Sequence, residues 1–305
     1  MHELILHHYD ISPYAEKIRL CFGLKGLPWR SVQIPVVMPK PDLTELTGGY
    51  RRTPTLQLGA DVYCDTKGIA RAIEDVAPSP TLFPDGSEAI VPALQRWGET
   101  SFMMVVTVLM GEGGVFDEDF MEDRRKMVGD AIDLDQAGVI VPAKLMQLRA
   151  NLDLLEQQLS DGRDFLLGDA PCLADLAVYH PVMMVGLVPN PKLKALVEPL
   201  RFVAAWLARI GAIGHGKREE MDSADAIAVA RDAAPAEFRG QAAPPPEGLE
   251  VGQSVVVLPE EIGSGPVAGE LLPSGPHEIR IRRRGERAGE LVVHFPREDY
   301  LVVAA

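Results

Sequence analysis

His8-Tyr9-Asp10-Ile11-Ser12-Pro13-Tyr14-Ala15-Glu16-Lys17 is the stretch whose reading decides the fold. It follows a short apolar run, Leu4-Ile5-Leu6, and enters a segment in which Tyr14, Ile18 and Cys21 recur at helical spacing, so it marks a strand-to-helix turn. Proline has no N–H to lose in the first turn of a helix, which suits Pro13 to the first helical position. Ser12 then becomes the N-cap, its hydroxyl at the positive end of the helix. Taken alone, a Ser-Pro pair before a helix is only a cap. The residues downstream give it a further meaning.

Outward from that turn, residues 1–80 alternate strand and helix signals. Leu4 to His8 reads as a strand, Pro13 to Lys25 as a helix closed by Gly26, and Trp29 to Ile34 as a second strand. A short piece covers Asp42 to Thr47. Thr55-Leu56-Gln57-Leu58 and Val62-Tyr63-Cys64 flank Gly59-Ala60-Asp61, a hairpin signal. Asp65 opens a helix with Ile69, Ile73 and Val76 on one face. The order β-α-β-α-β-β-α predicts a small mixed sheet with helices on its faces.

After Leu82-Phe83-Pro84-Asp85-Gly86 the strand signals stop, and residues 87–233 read as helices. From Ala143 to Leu159, Leu145, Leu148, Leu152, Leu155 and Leu159 recur at spacings of three and four. Cys172 and Asp175 stand at the N-cap and third positions of a later helix, where Asp175 can accept a backbone N–H while a thiol replaces the usual hydroxyl. Residues 234–248 are rich in proline and alanine, and Pro244-Pro245-Pro246 reads as a semi-rigid spacer. Beyond it, Ser254 to Leu258, Val267 to Leu272, Glu278 to Arg284, Glu290 to Phe295 and Tyr300 to Val303 predict five short strands, a small β-barrel or sandwich over 249–305. Such a spacer implies a module separable near Gln241. The arginines at 280, 282, 283, 284 and 287 read as a solvated strand face, with a docking surface as the sharper alternative.

The chain has 305 residues, long enough for two or three domains, and 47% of them are hydrophobic. Its net charge of −14 argues against a nucleic acid or an anionic membrane as partner. Phe102 to Met110 is too short to span a bilayer, and Met1-His2-Glu3 lacks the basic start of a signal peptide, so a cytoplasmic location is expected. Cys21, Cys64 and Cys172 are far apart and lack metal-ligand spacing, which predicts reduced, mostly buried thiols. His7 and His8 are strand neighbours facing opposite sides, and no metal site is expected.

Together, the element order, Ser12-Pro13-Tyr14, the Arg52-Thr53-Pro54-Thr55-Leu56 segment and the Asp65-Thr66 helix start resemble a cytosolic glutathione transferase of the serine type over about residues 1–230. The resemblance implies an α+β fold with a thioredoxin-like glutathione-binding domain over 1–80 and an all-α domain over 87–233. The C-terminal β module lies outside it. It further implies that glutathione is the cosubstrate, that its thiolate attacks an electrophilic small molecule, and that the protein forms a homodimer. Ser12 would hydrogen-bond the glutathione sulfur, with Tyr9 as rival donor, because tyrosine-type members use a phenol near the end of the first strand. Thr53, before a cis Pro54, would bond the cysteine backbone of glutathione as a strand neighbour does. Thr66 would bind the γ-glutamyl carboxylate and Asp65 its ammonium, where the family more often has Glu-Ser. Lys40, Arg51 and Arg52 are cationic candidates for the glycine carboxylate. Tyr14, Met103, Met104 and Met110 are candidates for an electrophile pocket, since methionine repacks around irregular shapes. Two other readings stand beside this one. The first is a binding or scaffold protein that uses the fold for protein contacts through its β module. The second is a glutathione-dependent oxidoreductase, disfavoured because Ser12 stands where that chemistry needs cysteine.

Overall fold

A computed structural model describes residues 3–128, 137–260 and 265–305; the part of the predicted helical region at 129–136 lies outside the described residues. The N-terminal elements are β1 (Ile5–His8), α1 (Pro13–Leu24), β2 (Pro28–Gln33), α2 (Pro41–Thr47), β3 (Thr55–Leu58), β4 (Asp61–Cys64) and α3 (Thr66–Val76). Ser12 caps α1 by accepting the Ala15 N–H at 3.2 Å, with Pro13 in the first turn. Apolar residues at Ile69, Ala70 and Ile73 place one face of α3 in the core.

The helical region comprises α4 (Ile90–Glu112), α5 (Glu118–Val128), α6 (Ala137–Gln158), α7 (Leu173–Leu187), α8 (Pro191–Val197), α9 (Arg201–Gly211) and, further on, α10 (Ser223–Asp232). Leu148, Leu152, Leu155 and Leu159 are buried in one core with Val105, Val108, Val178 and Trp206. Helices α4 and α7 meet at Gly98, where an added Cβ would lie 2.4 Å from the Ala177 carbonyl oxygen, so only glycine permits this approach. Asp175 reaches back to the Cys172 N–H at 3.1 Å, as expected. It also accepts the Leu166 N–H at 2.8 Å and the Trp206 indole N–H at 3.0 Å. All three thiols are free and buried. One strand was not expected in this region: β5 (Lys217–Glu220) is fully exposed, without an alternating pattern to announce it, and forms because β2 offers it a parallel edge.

The C-terminal strands are β6 (Ser254–Pro259), β7 (Val267–Leu271), β8 (Glu278–Gly285), β9 (Gly289–Pro296) and β10 (Tyr300–Ala304). All five lie within about two residues of their predicted bounds. They do not stand apart as a separate barrel or sandwich. One sheet runs β10-β6-β7-β8-β9-β4-β3-β1-β2-β5, because β9 pairs in parallel with β4 through Asp61 with Val292, Val62 with Val293, and Tyr63 with His294. A second core sits at this seam, joining Leu46, Tyr50, Val62 and Cys64 to Val255, Ile281, Val293 and Phe295. The expected spacer is tied down as well: the Ala236 N–H donates to Asp61 at 2.7 Å, and Ala243 bridges Ser274.

The arginine cluster is not a uniformly solvated face. Arg280 is buried over the Phe238 ring and donates to the Ala236 carbonyl at 3.0 Å. Arg283 donates to the carbonyls of Glu45 and Leu46 at the end of α2, and Arg287 pairs with Asp42 at 2.8 Å. Arg282 and Arg284 keep the expected exposed character, Arg282 opposite Glu270 and Glu290, and Arg287 is exposed as well while it pairs with Asp42.

Candidate functional site

Strand register assembles the site. β1 runs antiparallel to β3 with His7 opposite Thr55, and β3 runs antiparallel to β4 with Thr55 opposite Cys64. Continuing each ladder past its last pair brings the turn after β1, the residues before β3 and those after β4 to one end of the sheet. Tyr9 and Ser12, Thr53 and Pro54, and Asp65 and Thr66 therefore share that end. The Thr53–Pro54 peptide is cis.

At the first of these points three hydroxyls converge. The half-buried Tyr9 phenol lies close to the Ser12 and Thr53 hydroxyls, and burial pushes it above its ordinary value against the pull of Arg124 and of those two hydroxyls. Ser12 is 3% exposed and accepts the Ala15 N–H, which leaves its own proton to donate. Lys40, 4% exposed, lies over the Tyr9 ring and donates to the Arg51 carbonyl at 3.1 Å and to the Thr53 hydroxyl at 3.4 Å. Burial, helped by the positive charges of Arg124 and Arg51, lowers its ammonium to about 8. Arg51 is held by both oxygens of Asp123 in α5, and Asp123 also accepts the Met38 N–H at 3.0 Å. Among the described residues, Lys40, Arg51 and Arg124 thus surround the buried Asp123 carboxylate, which makes this corner electropositive. Arg52 is half-buried and within electrostatic reach of Tyr50.

The second point is the N-terminus of α3. Asp65 caps it, its carboxylate accepting the Lys67 N–H at 2.9 Å, with φ of +69°. Thr66 is 5% exposed in the first turn, where unpaired backbone N–H groups favour an anion. A carboxylate acceptor for cations and a set of donors for anions are thus adjacent.

The candidates for the electrophile pocket are spread out. Tyr14 packs edge-on to Phe102 at 4.7 Å and against His180 at 4.8 Å, beside the site where α1, α4 and α7 meet. Met103 is 51% exposed, whereas Met104 packs into the helical core within 4.0 Å of Asn151. Met110 is half-buried, seven residues along α4 from Met103 and so on the same face. Sequence reasoning missed Asp123 and Arg124, whose helix reads only as charged and amphipathic. It also missed Lys17, wholly buried under Tyr14 with its Nζ 5.4 Å from the ring centroid. Only a tertiary contact reveals such residues. Among the described residues no group of three or more His, Cys, Asp or Glu is placed to hold a metal, and no helix is long and apolar enough to cross a membrane.

These residues sit at one end of the sheet of a thioredoxin-like domain, the fold of the glutathione transferases. Residues 6–81 match the glutathione S-transferase N-terminal domain family, and residues 113–218 match a domain of unknown function. A GST-like protein from Pseudomonas syringae is 39% identical, with all of both chains covered and a TM-score of 0.83. The chain belongs to the glutathione S-transferase-like family. It is also 28% identical over 184 residues to FtsZ-localized protein A of Caulobacter vibrioides, covering 57% of this chain and 74% of that one. The beta-etherase LigF of Sphingobium sp. strain SYK-6 shares the fold at 20% identity, with 68% of this chain and 95% of that chain covered and a TM-score of 0.55.

Proposed function

We propose that the protein binds glutathione at the end of its sheet and activates the thiolate for attack on an electrophilic small molecule. The observation that carries this reading is the convergence of the Tyr9, Ser12 and Thr53 hydroxyls within an electropositive corner, beside the donor-rich start of α3. A free thiol titrates near 8.5, and lowering that by about two units takes roughly 2.7 kcal/mol of preferential thiolate stabilisation. One hydroxyl hydrogen bond to a charged acceptor supplies about 1.5–3 kcal/mol. The helix N-terminus and the nearby cations add to it. Ser12 is assigned that bond, because its oxygen already accepts the Ala15 N–H and its own proton is left to donate. Thr53 would pair with the cysteine backbone of glutathione, Lys40 with its glycine carboxylate, and Thr66 and Asp65 with the carboxylate and ammonium of its γ-glutamyl end. Arg51 and Arg52 flank this arrangement, and the mouth between Tyr14 and the Met103 face of α4 would receive the electrophile.

The test combines calorimetry with turnover of an activated aryl chloride. Ser12→Ala is expected to leave glutathione affinity nearly unchanged and to lower turnover at neutral pH by a factor of roughly ten to a few hundred. Full activity in Ser12→Ala with loss in Tyr9→Phe would transfer the role to Tyr9.

A second reading is a binding protein that uses this fold for protein contacts. The Caulobacter relative supports it, since FtsZ-localized protein A is named for its localisation with another protein. Absence of both glutathione binding and turnover in the unsubstituted chain would favour it. A redox reading lacks a suitable thiol: all three cysteines are buried, and burial pushes Cys21 and Cys172 up to about 12.

A further inference from the structure

The C-terminal strands reach the proposed site. Because β9 runs parallel to β4, it delivers the chain to the same end of the sheet at which β4 leads into Asp65. The turn after β9 lies over the start of α3. Tyr300, 7% exposed, donates its hydroxyl to Asp65 Oδ2 at 3.2 Å, while Asp65 Oδ1 accepts the Lys67 N–H. Asp299 pairs with the Lys67 ammonium and with Arg96, and Lys67 lies 3.7 Å from Glu99. Tyr50 and Tyr300 are buried in the same core.

We infer that Tyr300 is a positioning residue for recognition of the γ-glutamyl ammonium, acting through Asp65, so that the C-terminal strands form part of the glutathione site. This rests on the glutathione reading above. An ammonium is recognised by a carboxylate at a set place, and the aspartate here is one carbon shorter than the glutamate expected from the family. Held only by the Lys67 N–H, its carboxylate can turn about its own side-chain bonds. With the phenol on the second oxygen it is fixed in one orientation, and each oxygen keeps a lone pair for the ligand. Burial pushes the Tyr300 phenol well above its ordinary value, so it remains a donor throughout the neutral range. The Lys67 to Asp299 pair ties the same turn to the first turn of α3, which limits drift of Asp65 away from Thr66.

The experiment measures calorimetric affinity of full-length protein for glutathione and for its des-amino analogue, in which the γ-glutamyl ammonium is replaced by hydrogen. Tyr300→Phe is expected to weaken glutathione roughly 5- to 30-fold, part of the worth of one hydrogen bond to a charged group because the phenol acts through Asp65, and to leave the analogue within twofold. Asp65→Asn should abolish the difference between the ligands, and adding Tyr300→Phe to it should have no further effect on glutathione. Equal weakening of both ligands, or no weakening, would overturn the inference while leaving the glutathione reading in place. Failure of the unsubstituted protein to bind glutathione would remove the reading and the inference with it. Hydrogen exchange on the unsubstituted protein gives a second measurement should Tyr300→Phe not fold. Glutathione should slow amide exchange at 298–301 more than the analogue does, and identical protection by the two would count against Tyr300.

Discussion

Ending the chain at Gln241 should destroy the fold of what remains rather than release an independent module. Truncation there would convert β4 from an inner strand to an edge, since its parallel partner β9 would be gone. It would also uncover Leu46, Tyr50 and Val62, which are 0%, 2% and 0% exposed and pack in a core built largely from the C-terminal strands. Burial of one large apolar side chain is worth about 1.5–3 kcal/mol, so these three alone represent roughly 5–9 kcal/mol, an upper estimate because unfolded chains are partly compact. The total stability of a domain is about 5–15 kcal/mol. Asp61, 2% exposed, would further lose the His294 imidazole at 2.8 Å, leaving a buried carboxylate short of a partner. The expected outcome is an insoluble or molten protein, read as loss of a cooperative thermal transition and gain of binding to a hydrophobic dye. A truncated chain that melts cooperatively within a few degrees of the full-length protein, with no added dye binding, would refute the reasoning and restore the separable module that the proline spacer suggested.

Acid should weaken the fold through His7 and His8. Burial lowers them to about 4 and about 3, and His8 is kept neutral because its Nδ1 accepts from Arg19, which leaves Nε2 to donate to Ser31. The unfolded chain takes up these protons near pH 6.5 and the folded one does not, so their contribution is complete above about pH 7 and lost as pH falls toward 4 and 3. Each costs roughly 2 kcal/mol by pH 5, partly offset by Asp75 and Asp175, whose carboxyls burial raises. Urea midpoints that match at pH 7.5 and pH 5 would contradict this. Asp175→Ala leaves three buried donors without their acceptor and should cost about 3–5 kcal/mol, visible as a large drop in melting temperature. A drop of only a degree or two would show that water replaces the carboxylate. Lys40, lowered to about 8, carries its charge below that pH and loses it above. Binding of S-methylglutathione, which has no titrating thiol, should therefore weaken as pH rises from 7 to 9, and Lys40→Gln should abolish the trend. A pH-independent affinity in the unsubstituted protein would take Lys40 out of the site.

Sequence alone determined those features that depend on neighbours along the chain. The Ser12 cap, the Gly59-Ala60-Asp61 hairpin, the Asp65 helix start, the leucine stripe of α6 and the five C-terminal strands each follow from periodicity, turn chemistry or a missing N–H within a few residues. Their order was enough to recognise the family and to name Ser12, Thr53, Asp65 and Thr66 as candidates, which strand register carries to one end of the sheet. Tertiary structure decided what depends on which surfaces meet. The apolar residues of a strand do not specify whose edge it joins, so the pairing of β9 with β4 was invisible, and with it the contact of the C-terminal strands with the start of α3. The same limit hid Asp123 and Arg124, polar residues in a charged helix until packing aims them at Arg51 and Tyr9. It also made Arg280 and Arg283 look solvated, since a long side chain shows no sign in sequence of the carbonyl it will reach. The hydrogen bond from Tyr300 to Asp65 spans 235 residues, a distance over which no local pattern can speak.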